Sequence, residues 1–537
     1  MLYLLGRMPA ETMSYIYMKI LELIPEEYDR GIKKFAATDF EALRDGVAAL
    51  FAPGDRVLDV GCGPGTFALL AASAGCRVTG WDRNAAMVTF ATGKAAELGL
   101  ADRAVFEVRD APTAPLEDGT YDGVVMSLSL SEMRRSEQLA ALEGARRMLR
   151  AGGKLVVVEE VPPSRPLARA WHYFRRFWLQ LVVYVVARAV TAPVADLPAV
   201  LRERGFAVAR EEYLERGALL YLVATKDETR PAPAIRAVAT TLTLADRAVN
   251  LLAYLTLEAT FFRTRPGLYA VGAPGPAAPV FVTANFTLTY NLVRRALRGM
   301  DAYLLVLDTR GINVWCAAGG GKFTTREVAV AYRAFRLAEV GRHGALVLPK
   351  LAATGVALHE LRDLHGIGAQ YGPVYARDLR RYVDAGFRKD DAMNRVDFGL
   401  AKRLEVTWSF ALLNAAVVAL PLAVFHHLYP PLAVGAAAAV SLLVGALFPW
   451  LPTRLYAVKG LAAAALVAAA VVALSWHAGA EALARWGLFL AFAGILLGME
   501  FSGDTAVSSH SRVRQEFKPA LAALAALAVA FTLVVVL

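Results

Sequence analysis

The sequence predicts two α/β domains followed by a helical membrane domain, and three observations support this fold class. Short apolar runs alternate with helical patterns around a glycine-rich turn, and a second alternation of the same kind follows a proline-rich stretch. The tail from Glu405 to Leu537 holds only six Lys or Arg and five Asp or Glu. With 56% hydrophobic residues and a mean hydropathy of +0.42 over 537 residues, a disordered chain and a wholly soluble enzyme are both excluded.

The first domain is predicted to span residues 1–228 as a parallel, doubly wound, Rossmann-like sheet. Its strands are expected where short apolar runs are separated by helical patterns. The predicted strands are Arg56–Val60, Cys76–Trp81, Ala104–Val108, Gly123–Met126 and Lys154–Val158.

A linker is predicted at residues 229–239, because the stretch Asp227–Ala237 is charged and rich in proline. A second, smaller α/β domain should then occupy residues 240–404. Its strands are predicted at Val280–Thr283, Ala302–Leu307, Ala345–Leu348 and Gln370–Tyr371.

The third domain, residues 405–537, contains five apolar stretches, most of which approach the roughly 20 residues that span a bilayer. Tyr and Trp residues lie at their ends, as interfacial aromatics do. The five predicted spans are Trp408–Tyr429, Pro431–Trp450, Leu461–Trp476, Trp486–Met499 and Ala520–Leu537.

Positive charges in the loops predict the orientation of these spans. Arg454 and Lys459 follow the second span, and Arg512, Arg514 and Lys518 follow the fourth. The positive-inside rule therefore places the N-terminal domains in the cytoplasm and the C-terminus outside, in a multi-pass protein of the cytoplasmic membrane.

The net charge of +10 resides almost wholly in the front of the chain. Such a front is expected to face anionic membrane lipid. Nucleic acid is not expected as a partner, because no basic helix or aromatic-spaced basic motif is present. Three cysteines without paired spacing, Cys62, Cys76 and Cys316, predict no disulfides.

A glycine-rich turn is the first candidate site. A strand, then Gly61, Gly63 and Gly65, then a helix would place backbone N–H groups beside a ligand. Asp59 precedes the turn, and Asp82 ends the second strand, where a carboxylate can accept hydrogen bonds from both hydroxyls of a ribose.

The letters VLDVGCGPG at Val57–Gly65 resemble the first motif of class I S-adenosylmethionine-dependent methyltransferases, and the resemblance covers residues 35–226. It implies that S-adenosylmethionine is the cofactor, that Asp82 holds its ribose, that Asp110 lies near its adenine amine and that the glycine backbone borders its methionine part. A dinucleotide dehydrogenase is the alternative, but its G-x-G-x-x-G spacing requires glycine where Thr66 stands.

The methyl acceptor is not indicated. The stretch Ser127–Met133 lacks the Asn-Pro-Pro signature of base amino-group methylation, and Glu132 is either a base or a helix-capping residue. The amphipathic stretch Ala168–Val190 either lies on a membrane surface, covers the acceptor pocket or packs in the core.

The second candidate site is the loop DTRGINVWCAAGGGKF at Asp308–Phe323, which contains Cys316. Its glycines allow the backbone to approach a large flat ligand. A single cysteine is usually a small buried residue. Here, small neighbours beside a strand end favour a thiol that reaches a bulky molecule.

The heptad NVWCAAG at Asn313–Gly319 resembles the signature of the mercury-methylation corrinoid protein family (HgcA-type), which is related to the corrinoid subunit of CO dehydrogenase/acetyl-CoA synthase. The resemblance covers residues 240–537 and includes the membrane tail. Further matching stretches are Val282–Tyr290, Leu348–Leu361, Tyr371–Leu379 and Phe501–Phe517.

This resemblance implies a cobalamin-type corrinoid with the Cys316 thiolate as the lower axial ligand of cobalt. A soft anionic ligand pushes electron density onto the metal and favours release of a methyl group to an electrophile such as Hg(II). Two departures are that Gly320 and Lys322 stand where the family has Lys and a small polar residue, and that the first domain is fused. The implied corrin contacts are Asn313, Trp315, Gly319, Thr283, Asn285, Gly372 and Pro373.

The two sites together predict a methyltransferase in which S-adenosylmethionine is a possible methyl donor to the corrinoid, since one chain raises their effective concentration. A ferredoxin-like iron–sulfur protein is the expected electron donor, because the chain has no C-x-x-C motif. One alternative is a methyltransferase of a lipid, quinone or other small molecule with a degenerate corrinoid domain. A transporter is a third, disfavoured by the few charges in the spans.

Overall fold

The computed structural model describes residues 39–187, 191–256, 262–341, 344–405, 407–408, 428–451, 453–474, 477, 479–503 and 510–536. By their contacts, the residues form two compact units. Unit 1 comprises residues 1–234 and 328–342, and unit 2 comprises residues 235–327 and 343–537.

Unit 1 contains a seven-stranded sheet in the order β3-β2-β1-β4-β5-β7-β6, and its Rossmann-like α/β class confirms the prediction. Strands β1 to β5 pair in parallel. Strand β7 is antiparallel to both β5 and β6, so the sheet is not wholly parallel as the sequence predicted. The strands are β1 (Arg56–Val60), β2 (Arg77–Asp82), β3 (Ala104–Val108), β4 (Tyr121–Ser127), β5 (Leu149–Glu160), β6 (Phe206–Leu214) and β7 (Leu219–Lys226).

Helices cover both faces of this sheet. Consecutive residues of the central strands are buried, Val57 with Leu58 and Val124 with Val125, because successive side chains enter opposite apolar clusters. The helices before the linker are α1 (Phe40–Ala48), α2 (Thr66–Ser73), α3 (Ala85–Glu97), α4 (Arg135–Met148), α5 (Pro166–Ala187) and α6 (Leu197–Glu203).

Unit 2 contains a six-stranded sheet in the order β13-β12-β10-β11-β9-β8, which confirms the second α/β domain. Strands β10, β11, β12 and β13 pair in parallel, whereas β9 is antiparallel to β11. The strands are β8 (Ile235–Val238), β9 (Gly267–Val271), β10 (Val280–Ala284), β11 (Ala302–Leu307), β12 (Leu346–Leu348) and β13 (Ala369–Tyr371).

The helices of this part of the chain are short. They are α7 (Leu244–Thr256), α8 (Thr287–Ala296), α9 (Val314–Gly319), α10 (Thr325–Ala334), α11 (Leu337–Val340), α12 (Leu358–His365) and α13 (Leu379–Asp384).

Residues 328–342 belong to unit 1, although the chain on both sides belongs to unit 2. Val330 and Ala334 of α10 pack against Ala140 of α4. The Arg204 guanidinium donates to the Ala334 carbonyl oxygen at 2.6 Å, and Arg333 donates to that of Ala114 at 2.8 Å. The chain therefore passes between the units at three points, one of which lies in the predicted linker.

Among the described residues, three C-terminal helices are long and apolar enough to cross a membrane, at Pro430–Leu447, Tyr456–Leu474 and Ala480–Phe501. The predicted first span lies almost wholly outside the described residues, and the predicted fifth is helical. The five-span prediction is thus confirmed only in part. The helices are α14 (Pro430–Leu447), α15 (Tyr456–Leu474), α16 (Ala480–Gly503) and α17 (His510–Val536).

Glycines let two of these helices approach closely. A Cβ on Gly494 of α16 would lie 2.8 Å from the Cβ of Ala464 of α15 and 2.7 Å from the Gly460 carbonyl oxygen. Small residues at a helix–helix contact are typical of membrane proteins.

Candidate functional site

The glycine turn between β1 and α2 is held against the end of β2. The amides of Gly61 and Cys62 donate to the Trp81 carbonyl oxygen at 2.7 and 3.0 Å. Gly65, with φ of +78°, starts α2, and a Cβ there would lie 2.8 Å from the Phe106 ring. A Cβ on Gly61 would lie 2.5 Å from that of Ser129. Side chains at either glycine would therefore close the space around the turn.

Asp82 joins this turn to the next helix. Its carboxylate accepts hydrogen bonds from the Gly63 amide at 2.9 Å and the Asn84 amide at 2.8 Å. Its place at the end of β2, beside the glycine turn, suits a carboxylate that accepts hydrogen bonds from ribose hydroxyls.

Asp59 is buried beneath the turn. Burial and, secondarily, the Asp82 carboxylate raise the pKa of Asp59 to about 7. Burial and the same two carboxylates raise the pKa of the Cys62 thiol well above its usual range. Cys62 is therefore a protonated packing residue and not a nucleophile.

Asp110 follows β3 by two residues. Its carboxylate accepts from the Thr113 hydroxyl at 2.8 Å, and its carbonyl oxygen accepts from the Thr113 and Ala114 amides. Because parallel strands end at one edge of a sheet, the fold brings Asp59, Asp82 and Asp110 to that edge. The glycine turn and its three acids fit a nucleoside-containing cofactor.

Two buried acids at the end of β5 were not predicted. Glu159 accepts hydrogen bonds from the amides of Leu130 at 2.7 Å and Glu160 at 3.0 Å. Burial nevertheless raises its pKa to about 7, against the lowering effect of these bonds and of Ser131. The signal in the sequence was a pair of consecutive acids that ends an apolar strand.

Glu160 anchors helix α5. The Arg176 guanidinium lies 2.5 Å from the Glu160 carboxylate and donates to the Thr191 hydroxyl at 2.7 Å, while His172 Nε2 lies 3.7 Å from Glu160. His172 and Arg176 are buried.

The outer face of α5 is apolar and exposed. Leu167, Trp171, Phe174 and Phe177 are each more than half exposed, and all lie on one side of the helix. The amphipathic helix that the sequence predicted is present. Glu132, the other acceptor-side candidate, lies 3.9 Å from Arg83.

Cys316 lies in helix α9 and not in an open loop as expected. The Asn313 side chain caps this helix by accepting a hydrogen bond from the Cys316 amide at 2.9 Å. Ala317 and Ala318 are buried, whereas Cys316 is half-buried. The three glycines form the end of the helix and the turn after it, where the Gly320 amide donates to the Cys316 carbonyl oxygen at 2.8 Å.

A cavity of about 370 Å³ opens beside this helix. It lies at the carboxyl ends of β10 and β12 and just beyond β13. Five of the implied corrin contacts line it, namely Thr283, Asn313, Trp315, Gly372 and Pro373.

Three implied site residues are absent from this lining: Cys316, Gly319 and Asn285. Gly319 is the last residue of α9. Asn285 is buried, and its side-chain oxygen Oδ1 accepts hydrogen bonds from the Thr309 amide, the Thr309 hydroxyl and the Gly311 amide at 2.8 to 3.0 Å. Asn285 thus orders the turn that leads into α9.

Thr283 supplies a test of whether this cavity takes a ligand. Its side chain is 1% exposed and lines the cavity, and its hydroxyl has no hydrogen-bond partner among the described residues. Buried polar atoms are normally satisfied, so a bound molecule with a polar edge fits here.

No group of three His, Cys, Asp or Glu side chains that could hold a metal ion occurs in the part of the chain that the structure describes.

Comparison with known proteins identifies the chemistry of the first unit. Residues 57–153, which contain the glycine turn, Asp82 and Asp110, match the family described as a methyltransferase domain. Unit 1 carries an S-adenosylmethionine-dependent methyltransferase domain. Similar solved structures include a methyltransferase from Methanosarcina mazei, 24% identical over 34% of this chain and 96% of that one with a TM-score of 0.28. Another is geranyl diphosphate C-methyltransferase from Streptomyces coelicolor A3(2), 17% identical over 38% and 84% of the two chains with a TM-score of 0.30.

The methyltransferase domain is followed by a second matched region. Residues 248–381 match the family described as the CO dehydrogenase/acetyl-CoA synthase delta subunit. The gamma subunit of the acetyl-CoA decarbonylase/synthase complex from Archaeoglobus fulgidus is 42% identical over 17% of this chain and 20% of its own length. That from Methanopyrus kandleri is 41% identical over 22% and 26%. The match thus spans about a quarter or less of these relatives.

Proposed function

We propose that this protein is a membrane-anchored, corrinoid-dependent methyltransferase that passes a methyl group from S-adenosylmethionine, by way of a corrinoid, to a soft acceptor such as Hg(II). The observation that carries the proposal is the succession of two matched regions in one chain, a methyltransferase domain at 57–153 and a corrinoid-protein-related domain at 248–381.

In the first region, the chain's task is to hold the methyl donor. The glycine turn approaches the cofactor closely because no Cβ occupies that space, and the Asp82 carboxylate beside the turn accepts hydrogen bonds from ribose hydroxyls. Asp59 is poised to lose its proton near neutral pH, and a nearby positive charge on the cofactor favours the ionised form.

In the second region, the chain's task is to hold a corrinoid, which supplies when bound a cobalt centre that accepts and releases methyl groups. Asn313 fixes the start of α9 and thereby the position of Cys316, whose thiolate would bind the cobalt. The Thr283 hydroxyl offers a hydrogen bond inside the cavity, and the backbone at Gly372 and Pro373 borders it.

A soft acceptor follows from the proposed ligand. An anionic sulfur ligand would enrich the metal in electron density, and a metal enriched in this way would supply methyl transfer to a soft electrophile. Hg(II) is such an electrophile, and the NVWCAAG heptad supports this choice.

The proposal includes partners and a location. A ferredoxin-like iron–sulfur protein would supply the low-potential electrons. The apolar helices α14 to α16 anchor the chain, with its basic front facing anionic lipid on the cytoplasmic side of the cytoplasmic membrane.

The test is the visible spectrum of the purified full chain. The wild type should bind an added corrinoid. The bound corrinoid should have a different visible spectrum in the Cys316→Ala variant, because the thiolate is lost. A matched control is Cys76→Ala, which removes a buried thiol from unit 1 and should leave the spectrum as in the wild type. A wild type that binds no corrinoid would contradict the proposal.

A second candidate function is methylation of a lipid, quinone or other small molecule by unit 1 alone, with a degenerate corrinoid domain. The exposed apolar face of α5 favours it, because such a face suits a membrane-borne acceptor. Methyl transfer that survives Cys316→Ala undiminished would favour this function over the first.

A further inference from the structure

One wall of the cavity beside Cys316 is formed by residues that lie beyond the match to the CO dehydrogenase/acetyl-CoA synthase delta subunit family. Asp397, Phe398, Lys402 and Glu405 line it, and all four lie beyond residue 381, where the corrinoid-related match ends. We infer that segment 397–405, which leads into the membrane domain, is part of the corrinoid site, and that Lys402 and Glu405 bind the amide groups around the corrin ring. This inference rests on the proposed function and adds residues to its site.

The segment is fixed to the end of a membrane helix by a buried cation. Arg403 donates hydrogen bonds to the carbonyl oxygens of Phe398 at 3.2 Å, Gly445 at 2.9 Å and Ala446 at 3.4 Å. Gly445 and Ala446 belong to the last turn of α14, whose carbonyl groups lack partners within the helix and attract positive charge.

Thr407 tightens the same junction. Its hydroxyl donates to the Arg403 carbonyl oxygen at 3.0 Å, and a Cβ on Gly445 would lie 2.5 Å from the Thr407 methyl group. The wall is therefore positioned by the membrane domain.

Tyr375 connects the wall to the α/β part of the unit. The Asp397 amide donates to the Tyr375 hydroxyl oxygen at 2.7 Å, and Tyr375 itself lines the cavity. The cavity is thus closed on one side by residues that follow β13 and on another by the segment before the membrane.

The side chains at this wall suit the edge of a corrin ring. Lys402 Nζ lies 2.6 Å from a Glu405 carboxylate oxygen, and the two side chains are 40% and 36% exposed. Together they present N–H donors and carboxylate acceptors side by side. The primary amides at the periphery of a corrinoid carry one carbonyl acceptor and two N–H donors each, so one amide can bond to both residues.

The contribution of this pair to folding should be small, because partly exposed ion pairs stabilise proteins little. Ligand affinity and stability are therefore separable in a variant. The surface pair Arg380–Asp384 of the same unit, 3.2 Å apart, lies outside the cavity lining and provides a matched control.

The experiment titrates the full chain, in detergent or lipid nanodiscs, with cobinamide, a corrinoid that has the ring amides but no nucleotide tail. Lys402→Met should weaken cobinamide binding by about tenfold, the effect of losing charge-assisted hydrogen bonds. Lys402→Arg should restore most of the affinity, and Arg380→Met should bind like the wild type. Thermal unfolding without corrinoid should be the same for all four proteins.

Two results would overturn the inference in distinguishable ways. Wild-type affinity in Lys402→Met, with normal wild-type binding, would exclude Lys402 from the site and leave the proposed function intact. No cobinamide or cobalamin binding by the wild type would overturn the proposed function, and this inference with it.

Discussion

Three buried carboxyl groups of unit 1 lie toward the carboxyl end of its sheet. Asp59 lies near the end of β1, and Glu159 and Glu160 end β5. Asp59 and Glu159 have raised pKa values because burial disfavours the charged form, whereas Glu160 is paired with Arg176. Two buried carboxyl groups of the methyltransferase domain thus have pKa values raised to about 7.

Glu159 makes the stability of unit 1 depend on pH. Its pKa is about 7 in the folded chain against an ordinary value of 4.5, so the folded state binds more protons between these values. The free energy of unfolding should therefore fall as pH rises from about 4.5 through 7. Glu159→Gln keeps an acceptor for the Leu130 amide and should gain about 1–3 kcal/mol on the wild type over that range.

The measurement is thermal unfolding of the full chain in detergent at pH 5 and pH 8, with Glu107→Gln as a control at an exposed position on β3. Parallel pH profiles for Glu159→Gln and the wild type would show that Glu159 titrates no differently in the folded state.

Residues near motifs were easier to predict than residues that reach a site from elsewhere. Asp82 and the glycines could be named because their spacing is local. Asn285 was named as a corrin contact from the resemblance alone. Its role in ordering the turn before α9 could not be predicted, because its hydrogen bonds to Thr309 and Gly311 form only in the folded chain. Lys402 could not be named, because only the folded chain brings it to the cavity.

At the scale of elements, the strands that carry the sites were predicted and several edge strands were not. Strand β11 is a continuous apolar run, as buried parallel strands are, and the shorter apolar run of β1 is interrupted by Asp59. Strand β6 is largely exposed and carries charged residues, and β8 has four residues, so neither has the apolar signal of a central strand. The Cys316 loop proved to be helical because Asn313 caps it and the glycines come only at its end.

The Asn313 cap is predicted to set the position of Cys316. Asn313→Ala should cost about 1 kcal/mol of local helix stability, since the Cys316 amide loses its acceptor. The difference between the corrinoid spectrum of Asn313→Ala and that of Cys316→Ala should then be smaller than the difference between the wild type and Cys316→Ala. Asn313→Ser, which retains a capping oxygen, should preserve the full difference.

Visible spectroscopy of corrinoid-loaded protein distinguishes these variants. An Asn313→Ala spectrum identical to that of the wild type would mean that the cap has no influence on the thiol.

At the scale of the whole molecule, the chain crosses between the two units more often than the single linker predicted from the sequence would require. Residues 328–342 join unit 1 although they follow the Cys316 helix in the chain, so the chain passes between the units at residues 234/235, 327/328 and 342/343. Both candidate sites belong to one chain, and a shared chain raises the effective concentration of two sites for each other.

The positive charges beside the apolar helices predict the orientation of the membrane domain. Arg454 lies just before α15 and Lys459 in its first turn, whereas Arg512, Arg514 and Lys518 lie near the start of α17 and not in a loop as the sequence predicted. All five should remain cytoplasmic. Alkaline phosphatase fused after Leu537 should therefore be active, because this enzyme requires export. Green fluorescent protein fused at the same place should not fluoresce, because it requires the cytoplasm. The opposite pair of results would reverse the predicted topology.

The most direct test of the account follows the methyl group. Purified full-length protein, loaded with reduced corrinoid, is given S-adenosylmethionine labelled in its methyl group, and the corrinoid is then isolated and counted. The account predicts label on the corrinoid in the wild type and none in Asp82→Ala. No label on the corrinoid of the wild type, with the corrinoid bound and reduced, would contradict it.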